Sequence, residues 1–413
     1  MPHRGLSGTN LKFARDHNTR VTLQAVRLHG PVSRPELAQI TGLTPQAIAY
    51  MCRALLDDGM IIETGRRRGG RGQPAAELSI NPDGGYSIGV NIDRDHLTVL
   101  LLDLAGTVRG RGHWEENFIL PEETLRRIER AYFDLLDEAG LSPPELVGVG
   151  LGIPYRLGYL RSNITPRSYA VWRDFPVRER LQAVTGQTVY VENDASAAAH
   201  GEIHYGLGID FKNFLYVYVG VGLGGALVVN GELVAGLNGL GGEIGFIPAV
   251  NGTGRPDERR TIQSQVSLGA LYAHLARAGI DISCPGELGH LHLKGCRELP
   301  EWIERAADSL LMTLITVVCV ANPEAILIGG RLPEPLINDL IATVERRIVP
   351  YRSNLPSFPP ILKAACAADA APLGAAILPY SDVFLPHLGD MAIRGGAREP
   401  ARRATAGRML GGA

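Results

Sequence analysis

The sequence predicts an α/β chain in which a small helical domain with a β-hairpin precedes a larger body of two similar lobes. Capped helical patterns crowd the first 60 residues, and a strand–turn–strand–helix series that starts near residue 86 recurs from residue 213. A content of 45% hydrophobic and 20% charged residues excludes a disordered chain or a coiled coil. We place the domains at residues 1–80, 84–195 and 196–370, and we expect residues 387–413 to form a disordered tail.

The first domain opens with three helical patterns separated by short breaks. The first spans about residues 16–28. The second starts at Ser33, whose side chain can cap the helix while Glu36 reaches back to it. The third runs from a cap at Thr44 to about Asp58. The short turn between the second and third helices gives the spacing of a helix-turn-helix.

The third helix has one inward and one outward stripe. Ile48 and Leu55 should pack inward, whereas Gln46, Tyr50 and Arg53 fall on the opposite stripe. Arg and Gln side chains can read purine edges in the major groove of DNA. The third helix is therefore predicted to be a recognition helix.

A basic hairpin follows the third helix. Short strands at residues 60–64 and 76–80 enclose a Gly-rich segment with four Arg, which suits DNA phosphates or the minor groove. Residues 1–80 hold 11 basic and 6 acidic side chains against 30 and 37 in the remainder, so only this domain suits a polyanion. The alternative is a protein-interaction domain with a solvated basic loop. The residues predicted to contact double-stranded operator DNA are Thr44, Gln46, Tyr50, Arg53, Arg66, Arg67, Arg68 and Arg71.

The body repeats one pattern. In the first copy, two strands flank a turn at residues 93–96, and an amphipathic helix follows at about residues 121–139. In the second copy, the two strands flank the Gly-rich turn at residues 220–225. Two such units predict a pair of lobes with a cleft between them, which is a common place for a ligand.

The five cysteines show no pattern typical of disulfides or redox sites, since their number is odd and no Cys-x-x-Cys occurs. No signal peptide is visible, and the most apolar stretch, at residues 310–321, is shorter than the ~20 residues that span a bilayer. We expect a soluble cytoplasmic protein with no membrane partner. Cys284, His290, His292 and Cys296 are ligand types that suit zinc, but their spacing favours a loop with incidental His.

Several short motifs occur in order along the body. They are VENDASAAAHGE at 191–202, the Gly-rich turn at 220–225, GLGGEIG at 239–245, ANPEAILIGG at 321–330 and APLGAAIL at 371–378. With them the chain resembles the ROK family of repressors, open reading frames and sugar kinases over about residues 10–385. The resemblance implies an N-terminal winged helix-turn-helix and a two-lobed actin-like ATPase body (ribonuclease H-like, hexokinase-type). It also implies that the segment 371–385 returns to the first lobe.

The resemblance implies a ligand site in the cleft. In the family's kinases, the residue matching Asp194 takes the proton from a sugar hydroxyl, and those matching Asn193 and Glu243 hold sugar hydroxyls. Carboxylates and amides suit polyols because each can form several hydrogen bonds. We therefore expect Asn193, Asp194 and Glu243 to bind a sugar-like effector. The alternative is that Asp194 only caps its helix.

Other positions depart from the family's kinases. Asn91 replaces an Asp, and residues 93–96 (Asp-Arg-Asp-His) replace a Gly-Gly-Thr turn whose amides face the phosphates of ATP. Two carboxylates at this turn would repel a triphosphate. Phe246 replaces the His of the family's zinc site, and residues 247–268 contain no Cys. We therefore expect no catalytic residue, no metal and no cofactor, and Tyr155 could narrow the pocket.

The function predicted from the sequence is a DNA-binding transcriptional regulator, in the first place a repressor, that senses a sugar or related metabolite and has no kinase activity. One alternative is a sugar kinase with a DNA-binding domain. Another is a DNA-binding scaffold whose body only dimerises. A single winged helix gives limited affinity, so we expect a homodimer or homotetramer that reads a palindromic operator.

Overall fold

The computed structural model describes residues 11–67, 75–155, 157–159, 166–249, 261–355 and 357–386. The tail predicted at residues 387–413 lies outside them. The chain divides into two compact units, one formed by Met1–Asn81 with Val383–Ala413 and the other by Pro82–Asp382. Each unit has its own hydrophobic core.

The described part of the first unit has the predicted winged helix-turn-helix architecture. Its elements are α1 (Leu11–His29), β1 (Val32–Ser33), α2 (Arg34–Thr41), α3 (Pro45–Asp57), β2 (Ile61–Arg67) and β3 (Ala75–Ile80). The strands form an antiparallel sheet in the order β1-β3-β2. Two predicted bounds are wrong: α1 begins at Leu11 instead of residue 16, and β2 extends to Arg67 instead of ending at residue 64.

Local capping explains where α2 and α3 begin. The backbone N–H and the hydroxyl of Ser33 donate to Glu36 Oε2 at 2.9 and 2.7 Å. Gly42 follows α2 with a φ of 69°, a left-handed conformation that favours glycine. The hydroxyl of Thr44 then accepts a 3.2 Å hydrogen bond from the N–H of Ala47 and starts α3. These bonds satisfy backbone groups at the turn of the helix-turn-helix.

The core of the first unit joins the three helices to the hairpin. Leu37 of α2, Ile48 and Cys52 of α3 and Leu78 of β3 are fully buried in one cluster. The C-terminal part of the unit contributes Phe384, which is partly buried against the same cluster. The first unit is therefore built from both ends of the chain.

The first lobe of the second unit is a five-stranded sheet with helices. Its elements are β4 (Tyr86–Ile92), β5 (His96–Asp103), β6 (Val108–Glu115), α4 (Pro121–Ala139), β7 (Leu146–Gly152), α5 (Val177–Thr185) and β8 (Val189–Glu192). The strand order is β6-β5-β4-β7-β8. Strands β4, β7 and β8 run parallel, whereas β5 and β6 are antiparallel to their neighbours.

The second lobe repeats this sheet. Its elements are α6 (Asp194–Tyr205), β9 (Phe214–Val219), β10 (Leu223–Val229), β11 (Glu232–Leu233), α7 (Leu268–Arg277), α8 (Pro285–Leu293), α9 (Glu298–Ala321), β12 (Ala325–Gly330), α10 (Glu334–Ile348) and β13 (Ile361–Lys363); α11 (Ala370–Val383) follows them in the chain. The strand order β11-β10-β9-β12-β13 matches that of the first lobe, strand for strand and direction for direction. The predicted duplication is confirmed.

One stretch of the second lobe was wrongly predicted as a loop. Residues 285–293 form α8, which begins at Pro285 with Glu287 accepting from the backbone N–H of Cys284 at 3.3 Å. Helix α7 begins at Leu268, after a short 3-10 turn at Ile262–Ser264. In the described residues, no helix is both long and apolar enough to cross a membrane.

Helix α11 packs directly on the first sheet. A Cβ on Gly150 of β7 would lie 1.7 Å from the carbonyl oxygen of Ala375, so only glycine permits this approach. The hydroxyl of Ser87 donates to the carbonyl of Ala376 at 2.7 Å, and that of Tyr380 donates to the carbonyl of Leu102 at 2.9 Å. These contacts support the prediction of a return to the first lobe for residues 371–382, whereas residues 383–385 belong to the first unit instead.

Candidate functional site

The outward face of α3 is the candidate DNA interface. Gln46, Tyr50 and Arg53 are exposed, whereas Ile48 and Leu55 on the other face are buried. Thr44 is also exposed, and its hydroxyl oxygen caps the helix. The arrangement places one amide, one phenol and one guanidinium along a helix face from which all three can reach base edges.

A basic residue of α1 adds to this face. The guanidinium carbon of Arg15 lies 4.9 Å from the ring centroid of Tyr50, which is a cation–π contact. Sequence reasoning missed Arg15 because its position in α1 becomes relevant only once α1 packs across α3. The contact holds Tyr50 in place and brings another positive charge beside the predicted recognition residues.

The wing residues are only partly described. Arg66 and Arg67 lie at the end of β2, where their backbones pair with Ala76 and Ala75 of β3. Arg68 and Arg71 lie outside the described residues. The register of the hairpin shifts between Glu63 and Gly65, which is a β-bulge.

The candidate ligand site is a cleft between the two lobes of the second unit. The first lobe supplies the turn after β4 and the segment after β7, while the second supplies the start of α6, the turn after β9 and two later segments. Asn193, Asp194 and Glu243, the three predicted effector residues, all line this cleft. The other lining residues are Asp93, Arg94, Pro154, Tyr155, Tyr218, Gly220, Gly222, Leu223, Gly224, Phe246 and Gln263.

Asn193 caps α6 at the floor of the cleft. Its Oδ1 accepts hydrogen bonds from the N–H groups of Ala195 at 3.0 Å and Ser196 at 3.4 Å. Both lone pairs of this oxygen are therefore used by the helix, and its amide NH₂ is the group with which Asn193 can donate to a ligand.

Asp194 stands next to this cap and has an unusual proton affinity. Its Oδ1 accepts from the N–H of Ala195 at 2.9 Å. Burial, followed by the negative charges of Asp93 and Glu243, raises the pKa of Asp194 from 3.8 to about 7. Near neutral pH the side chain is thus divided between a carboxylate, which only accepts, and a carboxylic acid, which also donates.

Glu243 reaches the cleft on a loop that is pressed against β10. Gly242 has a φ of 87°, and a Cβ there would lie 2.5 Å from the carbonyl oxygen of Gly225. This close approach requires glycine at position 242. Ile244, the next residue after Glu243, is buried in the core of the second lobe. The carboxylate is therefore held between a tight turn and a core anchor.

The turns of the two lobes face each other closely across the cleft. A Cβ on Gly220 would lie 3.5 Å from Asp93 Oδ2, and one on Gly222 would lie 3.7 Å from Arg94 Nη1. Asp93 Oδ1 accepts from the N–H of Arg94 at 2.7 Å and lies 3.6 Å from its guanidinium. The side chains of Asp93 and Arg94 therefore occupy the space between the two turns.

Two lining residues escaped sequence reasoning. The hydroxyl of Tyr218 is buried and, among the described residues, has no hydrogen-bond partner. Burial, with the nearby charge of Asp194, raises the pKa of Tyr218 well above its usual value, so this hydroxyl stays protonated and can donate. Gln263 was missed because no sequence motif next to it indicated a ligand site. Tyr218 could have been found, because it shares a face of β9 with Tyr216 just before the Gly-rich turn.

Known protein families match both units of the chain. The pattern of the winged helix-turn-helix DNA-binding domain matches residues 15–62, and that of the ROK family matches residues 87–381. The chain belongs to the ROK family. Its relatives include the xylose repressor of Bacillus spizizenii, 25% identical over 388 residues, with 92% of this chain and 97% of that protein covered. The transcriptional dual regulator NagC of Escherichia coli is 24% identical over 368 residues, which cover 84% of this chain and 89% of NagC.

Among the solved structures, a regulator covers more of this chain than a sugar kinase does. A ROK family transcriptional regulator, a homologue of the E. coli MLC protein, superimposes with a TM-score of 0.66 at 22% identity, covering 90% of this chain and 98% of that one. The ROK hexokinase of Thermus thermophilus gives 0.55 at 25% identity, covering 72% and 99%. The regulators thus match the DNA-binding unit as well as the body. The domain matches and the repressors among the relatives confirm the prediction of a ROK transcriptional regulator.

In this ROK protein, the turn that departs from the kinase pattern is ion-paired. Asp95 Oδ1 lies 2.6 Å from His96 Nδ1, and Asp95 Oδ2 lies 3.7 Å from Arg331 Nε. Although burial acts to raise it, His96 and Arg331 hold the pKa of Asp95 below its usual value. Asp93 pairs with Arg94. Both carboxylates of this turn are therefore paired within the protein, and the side chains of Asp93 and Arg94 lie between the two facing turns.

Neither group of possible metal ligands is arranged as a free site. Within the described residues, the side chains of Asp93, Asp95 and His96 come close enough to hold an ion, but each is bonded to protein. His96 Nε2, for example, lies 2.8 Å from Asn91 Nδ2. The group Cys284, His290, His292 and Cys296 does not converge in the described structure, and His292 pairs instead with Asp339.

Proposed function

We propose that this ROK regulator represses transcription by binding operator DNA, and that a sugar-like ligand in the interlobe cleft changes its affinity for the operator. The observation that carries the ligand role is that Asn193, Asp194 and Glu243 line one cleft although Glu243 lies far along the chain from the other two. The names of the xylose repressor and of the N-acetylglucosamine repressor of Escherichia coli O6:H1, which is 24% identical over 368 residues, point to the same class of ligand.

On the DNA side, the proposed roles follow from the side chains. Gln46 and Arg53 read base edges from the exposed face of α3, because an amide and a guanidinium can each bond a purine at two points. The wing arginines 66, 67, 68 and 71 contact phosphates or the minor groove. A homodimer or homotetramer would place two recognition helices about 34 Å apart, one DNA turn, on a palindromic site. Because its relatives, the xylose repressor and NagC, come from bacteria, whose DNA lies in the cytoplasm, we place the regulator there.

On the ligand side, the cleft offers complementary polar groups and aromatic faces. The amide of Asn193 and the hydroxyl of Tyr218 donate, Glu243 accepts, and Asp194 does either near neutral pH. Phe246 is 41% exposed where a polar His would stand in the family's kinases, so it supplies an apolar face for a sugar ring.

The test is a titration of operator binding with defined sugars. Fluorescence anisotropy with DNA from upstream of the protein's own gene would be measured with xylose, glucose, N-acetylglucosamine and N-acetylglucosamine 6-phosphate. We expect one of these sugars to shift the DNA affinity at least tenfold. We expect Asp194→Asn to remove the shift while DNA affinity without sugar stays the same.

Asp210→Asn is the matched control, since Asp210 is exposed and does not line the cleft. It should respond as the wild type does. A wild-type response retained in Asp194→Asn would exclude Asp194 from the ligand site. The absence of any response across the sugars, in affinity and in unfolding temperature, would contradict the sensing role.

A further inference from the structure

An ion pair links the two lobes on the far side of the turn that carries Asp93 and Arg94. Arg331 follows β12 of the second lobe, and Glu115 is the last residue of β6 in the first. The Nη2 of Arg331 donates to Glu115 Oε1 at 2.7 Å and to Oε2 at 2.6 Å. Charge-assisted bonds of this length are the strong ones in proteins.

A second carboxylate of the first lobe faces the same guanidinium. Asp95 Oδ2 lies 3.7 Å from Arg331 Nε. The other oxygen of Asp95 is bonded to His96, which in turn contacts Asn91. His113 supports Glu115 from the same side through a 2.9 Å contact between its Nε2 and Oε1. The network thus starts within the first sheet and ends on the second.

Burial of Arg331 and Asp95 distinguishes this interlobe contact from the surface ion pairs of the body, although Glu115 is 36% exposed. The side chains of Arg331 and Asp95 are only 4% and 2% exposed. Separating the lobes here would leave a guanidinium and a carboxylate without their partners in a poorly solvated place, which is strongly unfavourable. Surface pairs such as Arg346 with Glu304 lie within one lobe, are largely exposed and contribute little.

We propose that Arg331, Glu115 and Asp95 form an interlobe latch, which holds the two lobes in one relative orientation without any bound ligand. The latch positions the cleft because Asp95 belongs to the same tight turn as Asp93 and Arg94, which line it. Arg331 is also bound to the opposite wall, since its N–H donates to the carbonyl of Val219, the last residue before the Gly-rich turn. Arg331 is therefore a positioning residue for both walls of the cleft.

Hydrogen–deuterium exchange of the full chain tests the latch without any sugar. The variants are Arg331→Met, Glu115→Gln and the double variant. We expect amides of both facing turns, residues 93–96 and 220–225, to exchange about tenfold faster or more in all three, since bonds to charged groups are lost. The paired control is Arg346→Met with Glu304→Gln, which should leave both turns at the wild-type rate.

The double variant distinguishes a latch between the lobes from an ion pair that only stabilises the fold locally. Arg331→Met leaves the carboxylates of Glu115 and Asp95 without their guanidinium, and the double variant removes one of these two charges, so it should regain part of the unfolding temperature that Arg331→Met loses. Its facing turns should nevertheless still exchange fast. Exchange that returns to the wild-type rate in the double variant, or that rises in one lobe only, would overturn the proposal. Because no ligand is used, the result is independent of the proposed sugar response.

Discussion

Asp194→Asn should stabilise the body at alkaline pH and have little effect at acid pH. The folded-state pKa of Asp194 is about 7, whereas its ordinary value is 3.8, because the side chain is buried and close to Asp93 and Glu243. The folded protein therefore keeps this proton to higher pH than the unfolded chain does. The stability that protonation provides is complete below about pH 4 and is lost as the pH rises through 7.

The two pKa values set the size of the effect. A difference from 3.8 to about 7 corresponds to at most about 4 kcal/mol, of which about 2.5 kcal/mol is lost between pH 5 and pH 8. Asp194 faces the cleft, so solvent screening reduces the expected loss to about 1–2 kcal/mol. The dipole of α6 favours the charged form by only about 0.3–1 kcal/mol. Because asparagine cannot ionise, the Asp194→Asn variant should not lose this stability as the pH rises. The side-chain oxygen of the asparagine can still accept a hydrogen bond from the N–H of Ala195.

Urea unfolding, monitored by tryptophan fluorescence, measures this pH-dependent loss of stability directly. Trp114, Trp172 and Trp302, the three tryptophans of the chain, all belong to the body, so the signal excludes the DNA-binding unit. The free energy of unfolding of Asp194→Asn minus that of the wild type should rise by about 1–2 kcal/mol from pH 5 to pH 8. A difference in the free energy of unfolding that stays constant from pH 5 to pH 8 would refute the argument from crowded carboxylates.

Three further outcomes are expected. Arg53→Ala should relax base preference at one position at a cost of about 1–3 kcal/mol, whereas replacing the wing arginines 66–68 with Ala should weaken all DNA alike and flatten the salt dependence. Competition between operator and scrambled DNA at several salt concentrations distinguishes these two effects. Gly150→Ala should lower the free energy of unfolding in urea by at least about 2 kcal/mol, because the added Cβ would collide with Ala375. In the control Gly289→Ala the added Cβ meets no atom within 4 Å, so the substitution should be neutral or stabilising. A coupled assay of ADP release with hexoses, pentoses and amino sugars should show none of the ~1–100 turnovers per second typical of kinases.

Features set by neighbours in sequence were predictable. The capping of α2 by Ser33 and Glu36 and the start of α3 at Thr44 need only residues three positions apart, and the structure has both. The duplicated sheet was predictable because each copy repeats its strands and turn in the same order. In contrast, α8 was missed because Gly286 and Gly289 lower helix propensity, although Pro285 at its first position was a valid signal.

Features that depend on distant residues were not predictable. The pairing of Asp95 with Arg331 was not predictable, since Arg331 is remote in sequence and its other partner, Glu115, is 216 residues away from it. The packing of Arg15 on Tyr50 likewise depends on how two helices cross. The cleft itself was predicted from a resemblance to a family, which placed Asn193, Asp194 and Glu243 together. Nothing in their local sequence patterns requires them to meet.

The discontinuity of the first unit has a consequence for how such regulators can evolve. Phe384 packs against the core formed by residues of the N-terminal helices, and the guanidinium of Arg20 in α1 donates to the carbonyl of Leu385 at 3.1 Å. A recombination event that transfers only residues 1–81 to another body would leave an apolar surface uncovered and an arginine without this acceptor. Exchange of DNA-binding specificity between such proteins is therefore expected to involve both ends of the gene. The other expected route is point substitution on α3 and the wing, which leaves the contacts of Phe384 and Arg20 intact.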